Sequence, residues 1–359
     1  MKELSKSLKP QSIKLNKINL EKIDEIVATL IDKAQNEQKI SVFSIATTSN
    51  VNNPAYAFPS IRETNSAICG TILINIDSEI EKIIQRIDGV VDIILVDAET
   101  KVGNVMDLVK KVREFTKKSK VLTYKPNDLT VDASDALIGQ LIIPVRNKKI
   151  AILGGGNIGS KLALKLVERG AKVFLVRRDK SKLRKIVTGL NTIKSEYLDN
   201  KIIGTSNVNR ACKNADILIG ITPGTPVITS KMIQQMNKKG IIIDIGNGTI
   251  FPEGIKYART NNIKTICLMM KPGYDGALQT ILETETIIMT QKCKNIKDFS
   301  IISGGFLGNC GDIIVDNADN PTKIYAIADG KGDVLHQNKI KKFQNRVNYV
   351  QERILRGEP

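Results

Sequence analysis

A glycine-rich turn set between an apolar strand and a helix is the feature that most constrains this fold. The apolar run KKIAIL leads directly into GGGNIG (residues 154–159), and a helix and a second strand, Lys172–Val176, follow. In such a unit Gly154 permits the tight turn, Gly156 lets the backbone approach a pyrophosphate, and Gly159 lets the helix pack on the strand. Free N–H groups at the helix start favour phosphate. The unit predicts a Rossmann-type dinucleotide site; a packing turn that binds no phosphate is the alternative.

Two arginines follow the second strand, at the place where an acidic residue would bind the ribose 2′-hydroxyl of NAD. Arg177 and Arg178 stand there, before Asp179. Cations at this place suit a 2′-phosphate, so the sequence favours NADP, with NAD possible. Two solvated arginines are the alternative interpretation.

Two further strand-like segments, ADILIGITPGTPVI and GIIIDIGNGT, end in Gly-rich loops. Ligands of an open parallel sheet bind outside the carboxyl ends of its strands. We therefore add these loops to the turn and the arginines as cofactor-binding candidates: Gly154, Gly156, Asn157, Ile158, Gly159, Arg177, Arg178, Thr222, Pro223, Gly224, Asp244, Gly246 and Asn247. Alternatively, Pro223 and Gly224 form only a turn, and Asp244 is only a helix cap.

Apolar strands and amphipathic helices also alternate before the glycine turn. ISVFSIA, TILINI and VVDIILVDA are typical of strands, and residues 19–35, SEIEKIIQRI and VMDLVKKVREFTKK are typical of helices. We also predict a loop at TSNVNNPAYAFP, followed by a helix to Ile68 that Gly70 ends. This order indicates an α/β fold with three parts. They are a small N-terminal α/β domain for substrate and catalysis (residues 1–145), a Rossmann-type parallel-sheet NADP-binding domain (146–290), and a C-terminal extension that is β-rich and ends in a basic helix (291–359).

Composition narrows the function classes. The 359-residue chain carries 54 Lys+Arg against 37 Asp+Glu, but its basic residues are spread throughout without interleaved aromatics, so we expect no specific nucleic-acid partner. The five cysteines show no C-x-x-C spacing and His336 is the one histidine, which argues against a metal site, a disulfide framework and histidine catalysis. No apolar run reaches the ~18 residues of a membrane span. We expect a cytoplasmic homodimer that acts on a small molecule, away from membranes.

The order of motifs resembles the methylenetetrahydrofolate dehydrogenase/cyclohydrolase family over about residues 20–291. ILGGGNIGS, ADILIGITPGTPVI and GIIIDIGNG are similar to its cofactor-domain motifs. KPGYDGALQT is similar to its Pro-Gly-Gly-Val-Gly-Pro turn, which adds Gly273 to the cofactor-binding candidates. GVVDIILVDAE resembles its third strand, and VDASDALIGQL resembles its Asp-Val-Asp-Gly segment, which places Asp132 on the pterin-binding aspartate. The resemblance implies an NADP-dependent dehydrogenase of one-carbon metabolism that oxidises a CH–NH-type substrate.

The sequence departs from that family where the family's catalytic residues lie. The segment NNPAYAFPSIRETNSAICG contains Tyr56 and Arg62 but lacks the lysine of the family's Tyr-x-x-x-Lys motif. Arginine stays protonated and is a poor proton shuttle, so we expect no efficient methenyl-folate cyclohydrolase activity. The catalytic candidates are Asp132, Asp97, Arg62 and Tyr56. Asp132 alternatively caps a helix or loop, Asp97 binds a substrate amine or caps a helix, and Arg62 holds a substrate carboxylate or is a surface residue.

Three hypotheses for the function follow. The first is an NADP-dependent dehydrogenase of methylenetetrahydrofolate. The second is an NADP-dependent dehydrogenase of the same architecture that acts on a non-folate amine or an amino-acid-like small molecule. The third is a non-catalytic protein that binds nucleotides or nucleic acid. An intact cofactor motif beside a changed acid–base set favours the second hypothesis over the third.

Overall fold

The computed structural model describes residues 18–48, 53–101, 105 and 107–357. The chain forms two compact units, Met1–Ala277 and Leu278–Pro359. The first unit contains two mainly parallel sheets, here called the N-terminal sheet and the Rossmann sheet, and the second contains a smaller mixed sheet.

The elements alternate along most of the chain. The strands are β1 Ile40–Thr47, β2 Tyr56–Ala57, β3 Arg62–Glu63, β4 Ala67–Ile74, β5 Ile93–Asp97, β6 Lys120–Tyr124, β7 Lys149–Leu153, β8 Lys172–Val176, β9 Ile203–Thr205, β10 Ile217–Gly220, β11 Ile241–Asp244, β12 Lys264–Cys267, β13 Cys293–Asn295, β14 Ser300–Ser303, β15 Ile313–Val315 and β16 Ile324–Ile327. The α-helices are α1 Leu20–Asn36, α2 Ile80–Ile87, α3 Leu108–Phe115, α4 Pro126–Leu141, α5 Asn157–Glu168, α6 Lys180–Ile193, α7 Val208–Cys212, α8 Ser230–Gln234, α9 Pro252–Thr260, α10 Lys271–Thr290, α11 Gln337–Ile340 and α12 Gln344–Arg356.

The N-terminal sheet has the parallel strand order β4-β1-β5-β6, and β2 and β3 pair antiparallel with β4. Helices α1, α2 and α3 contribute to the apolar core on the face that contains Phe43. The chain leaves β1 for β4 on one side and then continues to β5 on the other side. The topological switch point of this sheet, where open α/β sheets bind ligands, therefore lies between the carboxyl ends of β1 and β5.

The prediction of a helix that Gly70 ends is wrong. Residues 60–68 instead contain β3 and the start of β4, which pair with each other, and Gly70 lies inside β4. The preceding segment, predicted as a loop, contains β2, which also pairs with β4. A Cβ atom at Gly70 would stand 3.0 Å from side-chain atoms of Ile26 and Leu30. The glycine therefore lets α1 lie close to the sheet. Its sequence signal, an isolated glycine after a polar segment, is the same as that of a helix end.

The Rossmann sheet has the all-parallel order β12-β11-β10-β7-β8-β9. This is the strand order of a doubly wound dinucleotide-binding sheet, with its switch point between β7 and β10. Apolar cores lie on both faces of the sheet, as expected for parallel strands whose residues are nearly all apolar. The predicted α/β fold with a Rossmann-type parallel sheet is confirmed.

Helix α4 joins the two sheets and runs parallel to α5. Ion pairs connect the helices at matching steps along their lengths: Asp128 with Lys161, Asp132 with Lys165, and Asp135 with Arg169. Both helices begin at the carboxyl edge of a sheet, because α4 follows β6 and α5 follows β7. The carboxyl edges of the two sheets therefore lie at the same end of this helix pair.

The second unit contains the strand order β13-β14-β15-β16. Val350 of α12 is buried in a core with Ile301, Ile313 and Ile327 of the strands, so the amphipathic helix covers one face of this small sheet. Among the described residues of both units, no helix combines the length and the apolar character that crossing a bilayer requires.

Candidate functional site

Backbone packing explains two glycines of the turn at residues 154–159. Gly154 has a φ of +133°, and a Cβ atom there would lie 2.1 Å from the carbonyl oxygen of Ile221. A Cβ atom at Gly159 would lie 2.0 Å from the carbonyl oxygen of Gly154. These glycines let β7, α5 and the chain after β10 meet closely at the switch point.

Gly156 has a different environment, which fits a bound pyrophosphate. It is the N-cap residue of α5, and a Cβ atom there would have no atom within 4 Å. Asn157 and Ile158 begin the helix, so their N–H groups have no partner within it. The Ser160 hydroxyl, in the same first turn, is buried and has no hydrogen-bond partner among the described residues. Open space beside unpaired donors is what a phosphate at a helix N-terminus needs.

Arg177 lies against the glycine turn, and Arg178 is exposed. Nη1 of Arg177 donates to the carbonyl oxygen of Gly155 at 2.5 Å. Its Nε is buried and has no partner among the described residues. Buried polar donors are normally paired, so an orphaned guanidinium nitrogen at the end of β8 fits an added anion such as a ribose 2′-phosphate.

The loops after β10 and β11 pack on each other. The N–H of Gly224 donates to the carbonyl oxygen of Gly246 at 3.2 Å, and a Cβ atom at Gly246 would lie 2.0 Å from the carbonyl oxygen of Thr222. Pro223 and Gly224 lie at this edge, and both are exposed. The structure thus brings the predicted loop residues together at the carboxyl edge of the Rossmann sheet.

The Asp244 carboxylate forms hydrogen bonds within the loop that follows β11. It accepts hydrogen bonds from the N–H of Gly248 at 2.8 Å and from the N–H and hydroxyl of Thr249 at 3.2 and 2.7 Å. Its role is therefore closer to the capping alternative than to direct cofactor contact, although it caps a loop and not a helix. Asn247 in that loop accepts a hydrogen bond from the Cys267 thiol at 3.3 Å.

A buried group of charged and polar side chains, here called the strand-end cluster, occupies the switch point of the N-terminal sheet. It consists of Thr47, Asp97, Glu99 and Lys101. Oδ2 of Asp97 accepts from the N–H and hydroxyl of Thr47 at 2.9 and 2.6 Å, and from Nζ of Lys101 at 2.6 Å. The Asp97 side chain is fully buried, and the Lys101 side chain is 10% exposed. Asp97 therefore links β1 to the loop after β5 and does not cap a helix.

The sequence predicts only Asp97 of this cluster and misses Thr47, Glu99 and Lys101. The cation among the missed residues is Lys101. Its Nζ also lies 3.6 Å from Oε2 of Glu99. The signal that could have revealed it is the spacing Asp97-x-Glu99-x-Lys101 directly after a buried strand. Charged side chains are seldom buried unless they are paired, so acids and a lysine directly after a buried strand are candidates for a buried pair.

Polar contacts connect the strand-end cluster to the start of α5. Oε2 of Glu99 accepts from the N–H of Asn127 at 2.8 Å, in the first turn of α4. The next residue, Asp128, forms the ion pair with Lys161 of α5. The start of α4 thus lies between the cluster and the helix that follows the glycine turn.

Three further predicted residues have packing or pairing contacts within the fold. Asp132 lies midway along α4 and pairs with Lys165 at 3.0 Å, so its pterin-binding assignment is corrected. Gly273 packs against α4, because a Cβ atom there would stand 2.9 Å from the Ala133 Cβ. Tyr56 is buried on β2, and burial raises its pKa.

The fourth catalytic candidate, Arg62, lies half-buried on β3. Its Nη1 donates to Oγ1 of Thr71 at 3.0 Å. Because Arg62 pairs with Cys69 in the sheet register, its side chain shares the face of Cys69 and Thr71, opposite the core around Phe43.

Comparison with known proteins supports the Rossmann half. Residues 149–248 match the family described as NADP oxidoreductase, coenzyme F420-dependent. The chain is 30% identical over 117 residues to glutamyl-tRNA reductase of Caldivirga maquilingensis. This match covers 31% of this chain and 26% of that protein. It is 28% identical over 109 residues to glycerol-3-phosphate dehydrogenase [NAD(P)+] of Clostridium botulinum, covering 28% of this chain and 32% of that protein. The chain thus spans about a third or less of the length of these relatives.

Solved structures also resemble this chain. One is a dipicolinate synthase from Bacillus halodurans, 15% identical, with a TM-score of 0.36 over 68% of this chain and 80% of that one. Another is a shikimate dehydrogenase in complex with NADP+, 13% identical, with a TM-score of 0.40 over 69% of this chain and 91% of that one.

The resemblance to the methylenetetrahydrofolate dehydrogenase/cyclohydrolase family is wrong. The family that matches the glycine-turn segment is described as an NADP oxidoreductase, and the relatives include a glycerol-3-phosphate dehydrogenase [NAD(P)+]. The motifs that suggested the folate family, a glycine turn and Gly-rich strand ends, are shared by Rossmann sheets in general. Without that resemblance there is no support for a folate substrate or a role in one-carbon metabolism. The prediction about cyclohydrolase activity rested on the same resemblance. The prediction of NADP, with NAD possible, agrees with the matches.

Proposed function

We propose that this chain is an NAD(P)-dependent oxidoreductase that exchanges a hydride between NADP(H) and a small polar molecule. The observation that carries the proposal is the open space at Gly156, beside unpaired donors at the start of α5. This space lies at the switch point of a sheet with dinucleotide-binding strand order. It also lies inside the segment that matches an NADP oxidoreductase family.

The Rossmann sheet supplies the residues that would hold the cofactor. The first turn of α5 and the Ser160 hydroxyl bind the pyrophosphate, and Arg177 and Arg178 bind the 2′-phosphate. The loops after β10 and β11 border the same edge. When bound, the nicotinamide provides the hydride acceptor or donor.

The N-terminal sheet supplies the substrate side. Its strand-end cluster lies at the same end of the α4–α5 pair as the glycine turn. Lys101 offers an N–H donor to an oxygen or nitrogen on the reacting carbon, while Asp97 and Glu99 hold its position. Because the matching family and relatives give no support for a folate, we take the substrate to be a non-folate small molecule.

The test begins with cofactor binding. Purified chain is titrated with NADPH and with NADH, followed by nicotinamide fluorescence, and Gly156→Val serves as the variant that fills the phosphate space. We expect NADPH to bind and the variant to lose binding. Small amines, amino acids and hydroxy acids are then screened for cofactor reduction at the nicotinamide absorbance. A folded chain that binds neither nucleotide contradicts the proposal.

A further inference from the structure

The face of the N-terminal sheet opposite the Phe43 core carries polar residues where apolar packing would be expected. Ser44 of β1 and Thr71 of β4 are neighbours in the sheet register, and both are buried. Oγ of Ser44 lies 2.8 Å from the hydroxyl oxygen of Tyr124 on β6. The Tyr274 ring packs edge-to-face against the Tyr124 ring, with centroids 6.0 Å apart. A row of hydroxyl groups therefore crosses the buried face.

Arg62 brings a positive charge to this row without a matching acid. Besides its bond to Thr71, its guanidinium carbon lies 6.0 Å from the centre of the Tyr274 ring. Among the residues that the structure describes, Arg62 forms no ion pair. The neighbouring acids are engaged elsewhere: Glu63 pairs with Lys33, and Asp275 accepts from the Ser66 hydroxyl at 2.8 Å.

Tyr274 adds an independent sign of a missing partner. The residue is 3% exposed, and its hydroxyl oxygen is buried without a hydrogen-bond partner of normal geometry in the described part of the chain. Buried tyrosine hydroxyls usually find a partner, because an unpaired buried donor loses its bond to water without replacement. Arg62 and the Cys69 thiol, a weak hydrogen-bonding group, are near this hydroxyl.

We propose that Arg62, Thr71 and Tyr274 form a binding site for the carboxylate group of the small-molecule substrate. A carboxylate offers two acceptor oxygens to a guanidinium and to hydroxyl donors, and it neutralises a half-buried arginine. This site lies on the same sheet face as Asp97, because Asp97 alternates with Leu95 along β5 and Leu95 pairs with Ser44. The substrate class is therefore a small carboxylic acid whose acid group binds on this face. The inference deepens the proposed function and rests on it for the reaction itself.

The test measures acid binding separately from cofactor binding. Calorimetry follows the titration of four acids into the chain, with and without NADPH: pyruvate, succinate, 2-oxoglutarate and L-glutamate. Uncharged succinamide is the ligand control. Arg62→Met removes the charge, Arg62→Lys keeps it, and Tyr274→Phe keeps the ring and removes only the hydroxyl. Arg113→Met, at an exposed arginine of α3, is the matched protein control.

We expect at least one acid to bind at millimolar concentration and succinamide not to bind. Arg62→Met should weaken acid binding tenfold or more, Arg62→Lys and Tyr274→Phe should weaken it less, and Arg113→Met should leave it unchanged. NADPH affinity should be the same in all variants. Failure of every acid to bind while NADPH still binds overturns this inference alone, as does an Arg62→Met variant that binds acids normally. Loss of NADPH binding in the unmodified chain overturns the proposed function instead.

Discussion

Nζ of Lys101 lies 2.6 Å from Oδ2 of Asp97, and both side chains are almost completely removed from solvent. The same Asp97 oxygen accepts from Thr47, so the pair fixes the end of β1 to the loop after β5. Two neighbouring strands are thereby held together where ligands of such a sheet bind. Breaking a buried ion pair by removing one partner is strongly destabilising, because the other charge remains buried.

Asp97→Asn is therefore expected to lower the free energy of unfolding by about 3–5 kcal/mol, and Lys101→Met by a similar amount. The double variant should lose less than the sum, since both substitutions act on one pair. Urea unfolding followed by circular dichroism measures these values. Lys22→Met, at an exposed Lys22–Glu25 pair, is the control and should change stability by less than about 1 kcal/mol. Strictly additive losses would contradict a direct Asp97–Lys101 interaction.

The two arginines after β8 should affect cofactor binding differently. Arg178 is exposed, so Arg178→Ala should weaken NADPH by about 1.5–3 kcal/mol for a lost charge-assisted bond and leave NADH unchanged. Arg177 also holds the carbonyl oxygen of Gly155, so Arg177→Ala should weaken both nucleotides. Fluorescence titrations with NADPH and NADH give the four affinities. Equal binding of both nucleotides by the unmodified chain would argue against a 2′-phosphate site.

The glycines of the turn should separate binding from folding. Gly156→Val places its side chain in open space with an extended backbone, so the fold should survive while cofactor binding is lost. Gly159→Ala instead puts a Cβ atom 2.0 Å from a backbone oxygen, so it should destabilise the domain itself. Thermal unfolding and NADPH titration of both variants check this contrast. Undiminished NADPH binding by folded Gly156→Val would mean that the turn serves packing alone.

The Rossmann half was predictable because its signals are local. The residues of GGGNIG that make the turn are consecutive, and their spacing reflects contacts with the adjacent strand and helix. The strand-end cluster was not predictable in full, because Asp97 and Thr47 are fifty residues apart in sequence and meet only when β1 and β5 pair. Asp132 was misassigned because a short local motif, VDASDALIGQL, was taken for a ligand-binding segment. That motif lies inside α4, where Asp132 pairs with Lys165.

Cysteine reactivity tests the packing of the face that carries Arg62. Burial raises the pKa of the Cys69 thiol to about 12, whereas Cys293 and Cys310 are exposed. At pH 8 the thiolate fraction of Cys69 is on the order of 10⁻⁴, and the thiolate is the reactive form. Iodoacetamide labelling read by mass spectrometry should therefore modify Cys293 and Cys310 in the native chain, and Cys69 only after unfolding. Rapid labelling of native Cys69 would contradict the burial of its thiol.

The second unit provides a pH test that is independent of the cofactor. Asp316 accepts from the N–H and hydroxyl of Thr322 at 2.9 and 2.5 Å and from the N–H of Lys323 at 3.0 Å. Burial raises the pKa of the Asp316 carboxyl, but the hydrogen bonds together lower it by more, to about 2. An unfolded aspartate titrates near 3.9, so the carboxylate stabilises the fold above about pH 4, and this contribution disappears as the pH falls through 2. Asp316→Asn should therefore be less stable than the unmodified chain at pH 6, with a difference that shrinks between about pH 4 and 2. Thr322→Val should reproduce part of this loss, since it removes one of the donors. Urea midpoints across this pH range measure the difference, and a gap that stays constant down to pH 2 would show that Asp316 is not held as a carboxylate by these bonds.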